Sequence, residues 1–246
     1  MNYALGASSA QNIRDFAIEK RARQILSRLS LEGKTVLDIG CGNGLYTLRL
    51  AKLAEKVTGV DIAEEAIAKA RRNNADLKGN AEFLKASAES LPFCDHSFDV
   101  MLLIEVLDHV PNHEKAVEEA RRVLKEDGYL VVYVPNKLYP FEVHGLRIGK
   151  RHISGFYTGS VPFFSWAPQF VRKKFERARI YTKGEIIKII ERNGFVAREI
   201  DYYYPPLDRI SSKLVKALLR RVLAYLERNP LTKRFGMSIF VLAQKR

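Results

Sequence analysis

The sequence is poor in the residues that would build a secreted or metal-dependent protein. It has only two cysteines, Cys41 in a glycine-rich turn and Cys94 in an expected loop, so we predict no structural disulfide. No group of Cys and His residues has metal-ligand spacing, and no metal site is predicted. No apolar run approaches the roughly 18 residues that span a bilayer. The N-terminus lacks a basic region followed by an apolar stretch, so we expect a cytoplasmic protein.

Acidic residues are in the minority. The chain of 246 residues has 28 Asp and Glu against 41 Lys and Arg, which gives a formal net charge of +13. Such a balance is typical of a protein with an anionic partner, such as nucleic acid, a membrane surface or an acidic metabolite. It is equally typical of a solvated surface rich in Lys, Arg and Glu. The total charge alone does not separate these alternatives.

Strand and helix patterns alternate along most of the chain. Short apolar, β-rich runs are predicted to be strands at 35–39, 56–62, 81–86, 98–105, 128–135, 196–204 and 235–244. Helical periodicity is found at 11–29, 45–53, 63–77, 113–124, 182–193 and 211–229. This alternation predicts one α/β domain over 1–246, with a doubly wound, mostly parallel seven-stranded sheet and right-handed crossovers. We expect the helix within 1–30 to cover the cofactor side.

The turn after the first strand reads VLDIGCGNG over 36–44. In open parallel sheets ligands bind beyond the carboxyl ends of the strands, and glycines there let a ligand approach the backbone closely. A dinucleotide fingerprint starting at Gly40 would place its last glycine at residue 45, which is Leu. Here the third glycine is Gly44 and an acid, Asp38, precedes the first, which favours S-adenosylmethionine over NAD. Asp61 ends the second strand, where a carboxylate can accept bonds from both ribose hydroxyls.

With these residues the sequence resembles the class I S-adenosylmethionine-dependent methyltransferases of the type 11 group. The resemblance implies a Rossmann-like methyltransferase fold and S-adenosylmethionine as the cofactor. It is carried by VLDIGCGNG (36–44), VTGVDIAEEAIAKAR (57–71), ASAESLPFCDHSFDVMLLIEVLDHV (86–110), DGYLVVYVPN (127–136) and TKGEIIKIIERNGF (182–195).

The resemblance also implies a role for individual residues. The glycine turn would line the methionine part of the cofactor, with Asp38 near its amino group. Asp61 would bind the ribose, and an apolar residue and a short turn would contact the adenine. The implied cofactor set is Asp38, Gly40, Cys41, Gly42, Asn43, Gly44, Asp61, Ile62, Ser87, Ala88, Glu89 and Ile104. Ser87 stands where such sequences often have an acid, which weakens the expected adenine contact unless Glu89 compensates.

Methyl transfer from a sulfonium depends mainly on holding the acceptor in line. A general base matters only where the acceptor is protonated. The candidate catalytic residues are His109, after the fourth strand, and Glu142 with His144 in the segment PFEVHGLR. Each could instead have a structural role, His109 as a packed residue and the other two as loop anchors. Weaker candidates are Glu105, Asp108 and Asn136.

The segment 137–181 interrupts the pattern. It has nine Lys or Arg against two acids and ten of the aromatic residues, including the one tryptophan. We predict a substrate lid for a small hydrophobic or amphipathic acceptor. The alternatives are an RNA surface of a tRNA or rRNA methyltransferase and a homodimer contact. A protein that binds the cofactor without transferring methyl is a further alternative.

The predicted helix at 211–229 combines leucines with Lys and Arg. A basic amphipathic helix can lie on a membrane surface. More commonly such a helix packs its apolar stripe on the core and exposes its basic face, which is what we expect here.

Overall fold

The structure is a computed structural model that describes residues 9–75, 81–141, 146–148, 151–153, 163–172, 178–204 and 213–246. Its strands are β1 (Thr35–Ile39), β2 (Lys56–Asp61), β3 (Ala81–Lys85), β4 (Phe98–Ile104), β5 (Leu124–Pro135), β6 (Leu146–Ile148), β7 (Arg151–Ile153), β8 (Phe195–Tyr203) and β9 (Ser238–Lys245). Its α-helices are α1 (Ser9–Leu26), α2 (Leu45–Leu50), α3 (Glu64–Ala75), α4 (His113–Val123), α5 (Gln169–Arg172), α6 (Lys183–Arg192) and α7 (Lys213–Arg228).

Seven of these strands form one sheet in the order β3-β2-β1-β4-β5-β9-β8. The first five are mutually parallel, whereas β9 is antiparallel to both β5 and β8. The prediction of a doubly wound, mostly parallel seven-stranded sheet is confirmed. The strand order reverses between β1 and β4, so the crevice for a ligand lies at the carboxyl ends of these two strands.

Both faces of the sheet are buried, because its central strands alternate between two cores. In β1, Leu37 and Ile39 pack with α4 and α6, while Val36 packs on the other face with Ile25 of α1. β4 alternates in the same way, which explains its nearly continuous apolar sequence. The two layers of helices hold the carboxyl ends of the strands in fixed relative positions.

The helices that precede the late strands have clear boundary signals. Asn112 caps α4 by accepting a hydrogen bond from the backbone of Lys115. Thr182 and Glu185 form a reciprocal capping box at the start of α6. The predicted stop at Gly194 is also present, since this glycine has a φ of +79° directly after the cap.

Several predicted boundaries differ from the structure. The helix predicted over 45–53 ends at Leu50, and residues 51–53 form a turn whose Leu53 side chain is exposed, with no packing face to continue the helix. The last strand begins three residues later than predicted, because residues 233–235 form a short 3₁₀ turn. Within 137–181, where no regular structure was predicted, the described residues include the hairpin β6–β7, a 3₁₀ turn at 164–166 and α5.

Helix α7 differs from the prediction of a core helix. None of the side chains described in it is buried, and Tyr225 is 64% exposed. The helix is attached at its end by an ion pair between Glu227 and Lys20 of α1, and the following turn accepts a hydrogen bond from the Tyr204 hydroxyl at Thr232. Within the predicted apolar stripe, Val222 is exposed, and Leu219, Leu223 and Leu226 are half-buried.

Asp99 of β4 ties together three strands at their amino ends. Its carboxylate accepts hydrogen bonds from the backbone and hydroxyl of Thr35 in β1 and from Lys125 in β5, at 2.7–2.9 Å. Burial alone would raise the pKa of Asp99, but these bonds outweigh it and lower the pKa to about 2. The ionised carboxylate is thus stabilised in the folded state.

We expect Asp99→Asn to lower the free energy of unfolding by about 2 kcal/mol at neutral pH, because charge-assisted bonds are lost. The stabilisation that the ionised Asp99 gives to the native protein is complete above the unfolded pKa of roughly 4 and is lost as pH falls toward 2. Urea unfolding at a series of pH values measures both effects. The exposed pair Lys56–Glu82 supplies a control, since Glu82→Gln should cost less than about 1 kcal/mol. Equal losses in the two variants would contradict the role given to Asp99.

Candidate active site

The glycine turn between β1 and α2 has a backbone that side chains would not fit. Gly40, Gly42 and Gly44 all have positive φ angles, of +69°, +55° and +76°. A Cβ at Gly40 would lie 2.7 Å from Cγ2 of Val106, and one at Gly44 would lie 2.7 Å from the ring of Phe83. A Cβ at Gly42 would meet nothing within 4 Å. Two of the glycines are therefore required by packing, and the third leaves open space beside the turn.

The turn is fastened to the end of β2 by Asp61. One carboxylate oxygen accepts a bond from the Gly42 amide at 2.9 Å, and the other accepts a bond from the Ala63 amide at 2.9 Å. The next residue, Ile62, is 70% exposed. The carboxylate of Asp61 and the exposed side chain of Ile62 thus lie side by side, next to the open space at Gly42. The carboxylate suits a ribose, and the exposed apolar side chain suits a flat aromatic base.

Asp38 is buried beneath the turn. It accepts a 2.6 Å hydrogen bond from the Thr47 hydroxyl in α2. Burial raises the pKa of Asp38 to about 7, the bond from Thr47 opposes this, and the charge of Asp61 adds to it. A cationic group bound nearby would favour the ionised form. The predicted position near a ligand amino group is electrostatically consistent with this environment.

Two further turn residues from the predicted set serve the local structure. Burial raises the pKa of the Cys41 thiol well above its usual range, so the side chain is a packed thiol. The side-chain oxygen of Asn43 accepts a 3.4 Å bond from the Leu45 amide, and its carbonyl accepts one from Asn73 of α3. These contacts hold the shape of the turn.

The turn after β3 lies against the end of β2, because the Ala86 amide donates to the carbonyl of Asp61. In this turn Ser87 accepts a bond from the Glu89 amide at 3.2 Å, and Ala88 is buried. The Glu89 carboxylate accepts a bond from the Asn112 amide at the start of α4. The predicted adenine-edge residues are therefore adjacent to Asp61, with one oxygen of Glu89 already used by the protein.

The end of β4 carries a strained acidic residue. Glu105, next to the half-buried Ile104, has a φ of +55°. Its carboxylate accepts bonds from Arg21 of α1 at 2.9 Å and from Ser238 of β9 at 2.7 Å. The Arg21 guanidinium also lies over the rings of Tyr133 and Tyr203. Sequence analysis missed Arg21, because a basic residue on a helix gives no signal of such a distant partner.

Asp108 and His109 follow in the turn after β4. Asp108 is buried, whereas the His109 side chain is 51% exposed, and Nε2 of the ring lies 3.2 Å from Oδ2 of Asp108. Burial raises the pKa of Asp108 to about 8, and the charge of Glu105 adds to this effect. The arrangement places a buried carboxyl behind an imidazole that solvent can reach.

Packing brings this turn next to the glycine turn. The His109 amide donates to the carbonyl of Val106, and the side chain of Val106 fills the space over Gly40. The turn that carries His109 thus packs on the glycine turn through the side chain of Val106.

The structure assigns a structural role to Asn136. Its amide nitrogen donates to the carbonyls of Arg234 and Gly236, and its amide oxygen accepts a bond from Leu138. A buried side chain with all these bonds anchors the start of β9 rather than a substrate. Glu142 and His144 lie outside the described residues. Tyr181, which sequence analysis missed, donates to the carbonyl of Leu107 and so joins the end of 137–181 to this site.

Comparison with known proteins agrees with this arrangement. A family described as a methyltransferase domain matches residues 37–132. The ubiquinone biosynthesis O-methyltransferase of Paraburkholderia phymatum is 35% identical over 135 residues, which cover 53% of this chain and 58% of that protein. The chain spans about half the length of the curated relatives it matches.

Solved structures show the same fold over nearly the whole chain. An S-adenosylmethionine-dependent methyltransferase from Mesorhizobium loti has a TM-score of 0.63 at 20% identity, covering 94% of this chain and 99% of its own. A similar protein from Listeria monocytogenes has a TM-score of 0.64 at 18% identity, covering 96% and 99%. At these identities the likeness concerns the fold.

The matched residues 37–132 run from β1 into β5. They include the glycine turn, Asp61, the turn after β3 and the pair Asp108–His109. The cofactor that this family implies is S-adenosylmethionine, as the spacing of the glycines predicts. Residues 37–132 therefore match a methyltransferase-domain family, and the chain as a whole has the fold of S-adenosylmethionine-dependent methyltransferases of known structure.

Proposed function

We propose that this protein transfers the methyl group of S-adenosylmethionine to a hydroxyl oxygen of a small hydrophobic or amphipathic acceptor. The observation that carries the proposal is the buried carboxyl of Asp108 behind the exposed imidazole of His109, in the turn whose Val106 packs on the glycine turn. A hydroxyl acceptor is the case in which such a base is useful, since its proton must leave. Relatives that match half of the chain are named O-methyltransferases.

The residues around the glycine turn fit the cofactor. The open space at Gly42 would take the methionine part, and Asp38 would ionise beside its amino group. Asp61 would accept bonds from the ribose, and the exposed Ile62 would cover one face of the adenine. Ser87 and the second oxygen of Glu89 would lie at its edge. When bound, the cofactor supplies an electrophilic methyl group on a sulfonium.

His109 would take the hydroxyl proton of the acceptor as the new bond forms. The carboxyl of Asp108 would then stabilise the imidazolium. Because the pKa of Asp108 is raised to about 8, its support for a cation increases as pH rises through this range. Arg21, which pairs with Glu105, would offset the electrostatic repulsion between the carboxylates of Glu105 and Asp108.

RNA methylation is a weaker alternative. It requires cations that are available for phosphates beside the aromatic residues of 137–181. Arg172 instead donates to the carbonyl of Ala167, and Arg179 donates to the carbonyls of Val110 and Pro111. Two of the basic residues in this segment are thus used for internal bonds. Absence of turnover with every acceptor would favour the alternative of a binding protein that does not transfer methyl.

We predict that Asp61→Ala abolishes measurable binding of S-adenosylmethionine. The variant removes the acceptor for the ribose and also the bonds that hold the amides of Gly42 and Ala63. Titration calorimetry measures the effect, and circular dichroism checks the fold. Asp95→Ala is the control, because Asp95 is an exposed acid paired with Arg122 away from the turn. Undiminished affinity of the Asp61 variant would refute this cofactor site.

We predict that His109→Gln lowers kcat by about 10²-fold or more while affinity for S-adenosylmethionine changes little, because the base acts only on the acceptor. His96→Gln is a matched control, since His96 is 52% exposed but lies beside Glu126 near the amino end of β4. In the native protein kcat should rise toward pH 8, and Asp108→Asn should flatten this rise. A kcat of His109→Gln equal to that of the native protein would contradict a base at this position.

A further inference from the structure

Large apolar side chains are exposed next to the site, in the segment that follows β5. We call this set the aromatic ridge, and Trp166 and Phe170 within it are 50% and 74% exposed. The ridge consists of Leu138, Phe141, Phe163, Trp166 and Phe170. Several large apolar side chains exposed within one short segment mark a surface that contacts something else.

The exposure of the ridge is built into the local structure. The amide of Phe163 donates to the carbonyl of Pro140, and Nε1 of Trp166 donates to the carbonyl of Leu138. Phe163 has a φ of +62°, and its ring lies 4.9 Å from that of Trp166. The Ser165 hydroxyl donates to the carbonyl of Tyr139 from a buried position. These bonds hold the backbone of the ridge while its rings remain exposed.

A second exposed apolar surface lies on α7 and the turn after it. Val222, Tyr225 and Leu231 are exposed there. The cations Arg221 and Arg228 flank Tyr225, and together with it they line a shallow groove of about 500 Å³. We call this set the α7 face.

Both surfaces are attached to the carboxyl edge of the sheet. Asn136, directly before the ridge, binds the carbonyls of Arg234 and Gly236, directly after the α7 face. Ser238 at the start of β9 pairs with Pro135 at the end of β5. This is the edge at which Asp61 and His109 lie.

We propose that this edge docks on an anionic lipid surface, with the aromatic ridge and the α7 face entering the interfacial region. Aromatic residues favour that region, and cations beside an amphipathic helix favour anionic headgroups. The chain's charge of +13, of which the segment 137–181 holds a large share, has the required sign. No helix in the described ranges is long and apolar enough to cross a bilayer. Delivery of an amphipathic acceptor from the bilayer to His109 rests on the proposed function.

Lipid fits these surfaces better than RNA or a second copy of the chain. Leu138, Val222 and Leu231 are aliphatic and cannot stack on bases, which is the role that aromatics have in RNA recognition. Tyrosine and arginine are also common in interfaces between protein copies, but the net charge of +13 opposes the approach of a second copy. A lipid interface takes aliphatic, aromatic and cationic groups together.

The single tryptophan makes the test direct, because Trp166 lies in the ridge and no other residue contributes indole emission. We expect a blue shift of the emission with vesicles of phosphatidylcholine and phosphatidylglycerol in equal parts. Phosphatidylcholine alone should give a much smaller shift, and added salt should weaken binding. Cosedimentation of the full chain with the vesicles measures affinity independently.

Two variants assign the contact to the two surfaces. Phe170→Ser and Tyr225→Ser should each weaken binding to the mixed vesicles at least about tenfold, and both should keep the affinity for S-adenosylmethionine. Leu53→Ser and Leu84→Ser are matched controls, since both residues are exposed apolar side chains elsewhere, and should bind vesicles like the native chain. Cofactor calorimetry and vesicle binding are separate measurements, so failure of the proposed function and failure of this docking are distinguishable.

Three results would overturn the proposal. The first is no emission shift and no cosedimentation with anionic vesicles. The second is a blue shift without lipid that grows with protein concentration and accompanies a doubled mass, which would assign the surfaces to a second copy. The third is salt-sensitive quenching by single-stranded RNA without vesicle binding, which would assign them to RNA.

Discussion

The contact between Val106 and Gly40 sets the geometry of this site. The valine methyl occupies the volume in which any other residue at position 40 would place its Cβ. The turn after β4 can therefore lie directly against the turn after β1, at the point where the strand order reverses. Methyl transfer depends on position more than on covalent chemistry, so this close packing of two turns does much of what the fold must supply.

Burial of acidic groups is the second feature of the site. Asp38 and Asp108 lie beneath the two turns, and burial raises the pKa of each. Neither carboxyl is fully ionised until a cation approaches. Two expected steps bring one: cofactor binding places an ammonium group near Asp38, and proton transfer forms an imidazolium beside Asp108. Asp61 differs, because its carboxylate accepts hydrogen bonds from two backbone amides of the turns. The site thus contains two kinds of acid: Asp61, which maintains the turn, and the pair Asp38 and Asp108, whose ionisation responds to bound charge.

The fold and the cofactor turn were predictable from local signals. Each of these signals involves residues that are close together in the sequence: the strand periods, the spacing of Gly40, Gly42 and Gly44, and the acid at Asp61. The pair of Arg21 and Glu105 and the triple bonding of Asn136 were not, because their partners are distant in sequence and the residue types have many uses. For α7 the sequence predicts an apolar stripe, but not whether anything covers it. In the structure Val222 of this stripe is exposed, whereas Leu219, Leu223 and Leu226 are half-buried.

The order of the groups from the sheet outward suggests how an amphipathic acceptor would reach the methyl group. Backbone amides and buried acids lie innermost, where the proposed site would hold a polar cofactor. The half-exposed His109 lies between them and solvent, and the ridge and the α7 face lie at the rim. Exposed apolar side chains at a rim add nothing to folding, since burial is what makes such groups stabilising. In the proposed docking, the polar end of an acceptor would point toward His109. Its apolar part would remain among these exposed side chains and the lipid. In this arrangement water would be excluded only from the last few ångströms of the acceptor's path. That is where the acceptor hydroxyl would give its proton to the imidazole of His109.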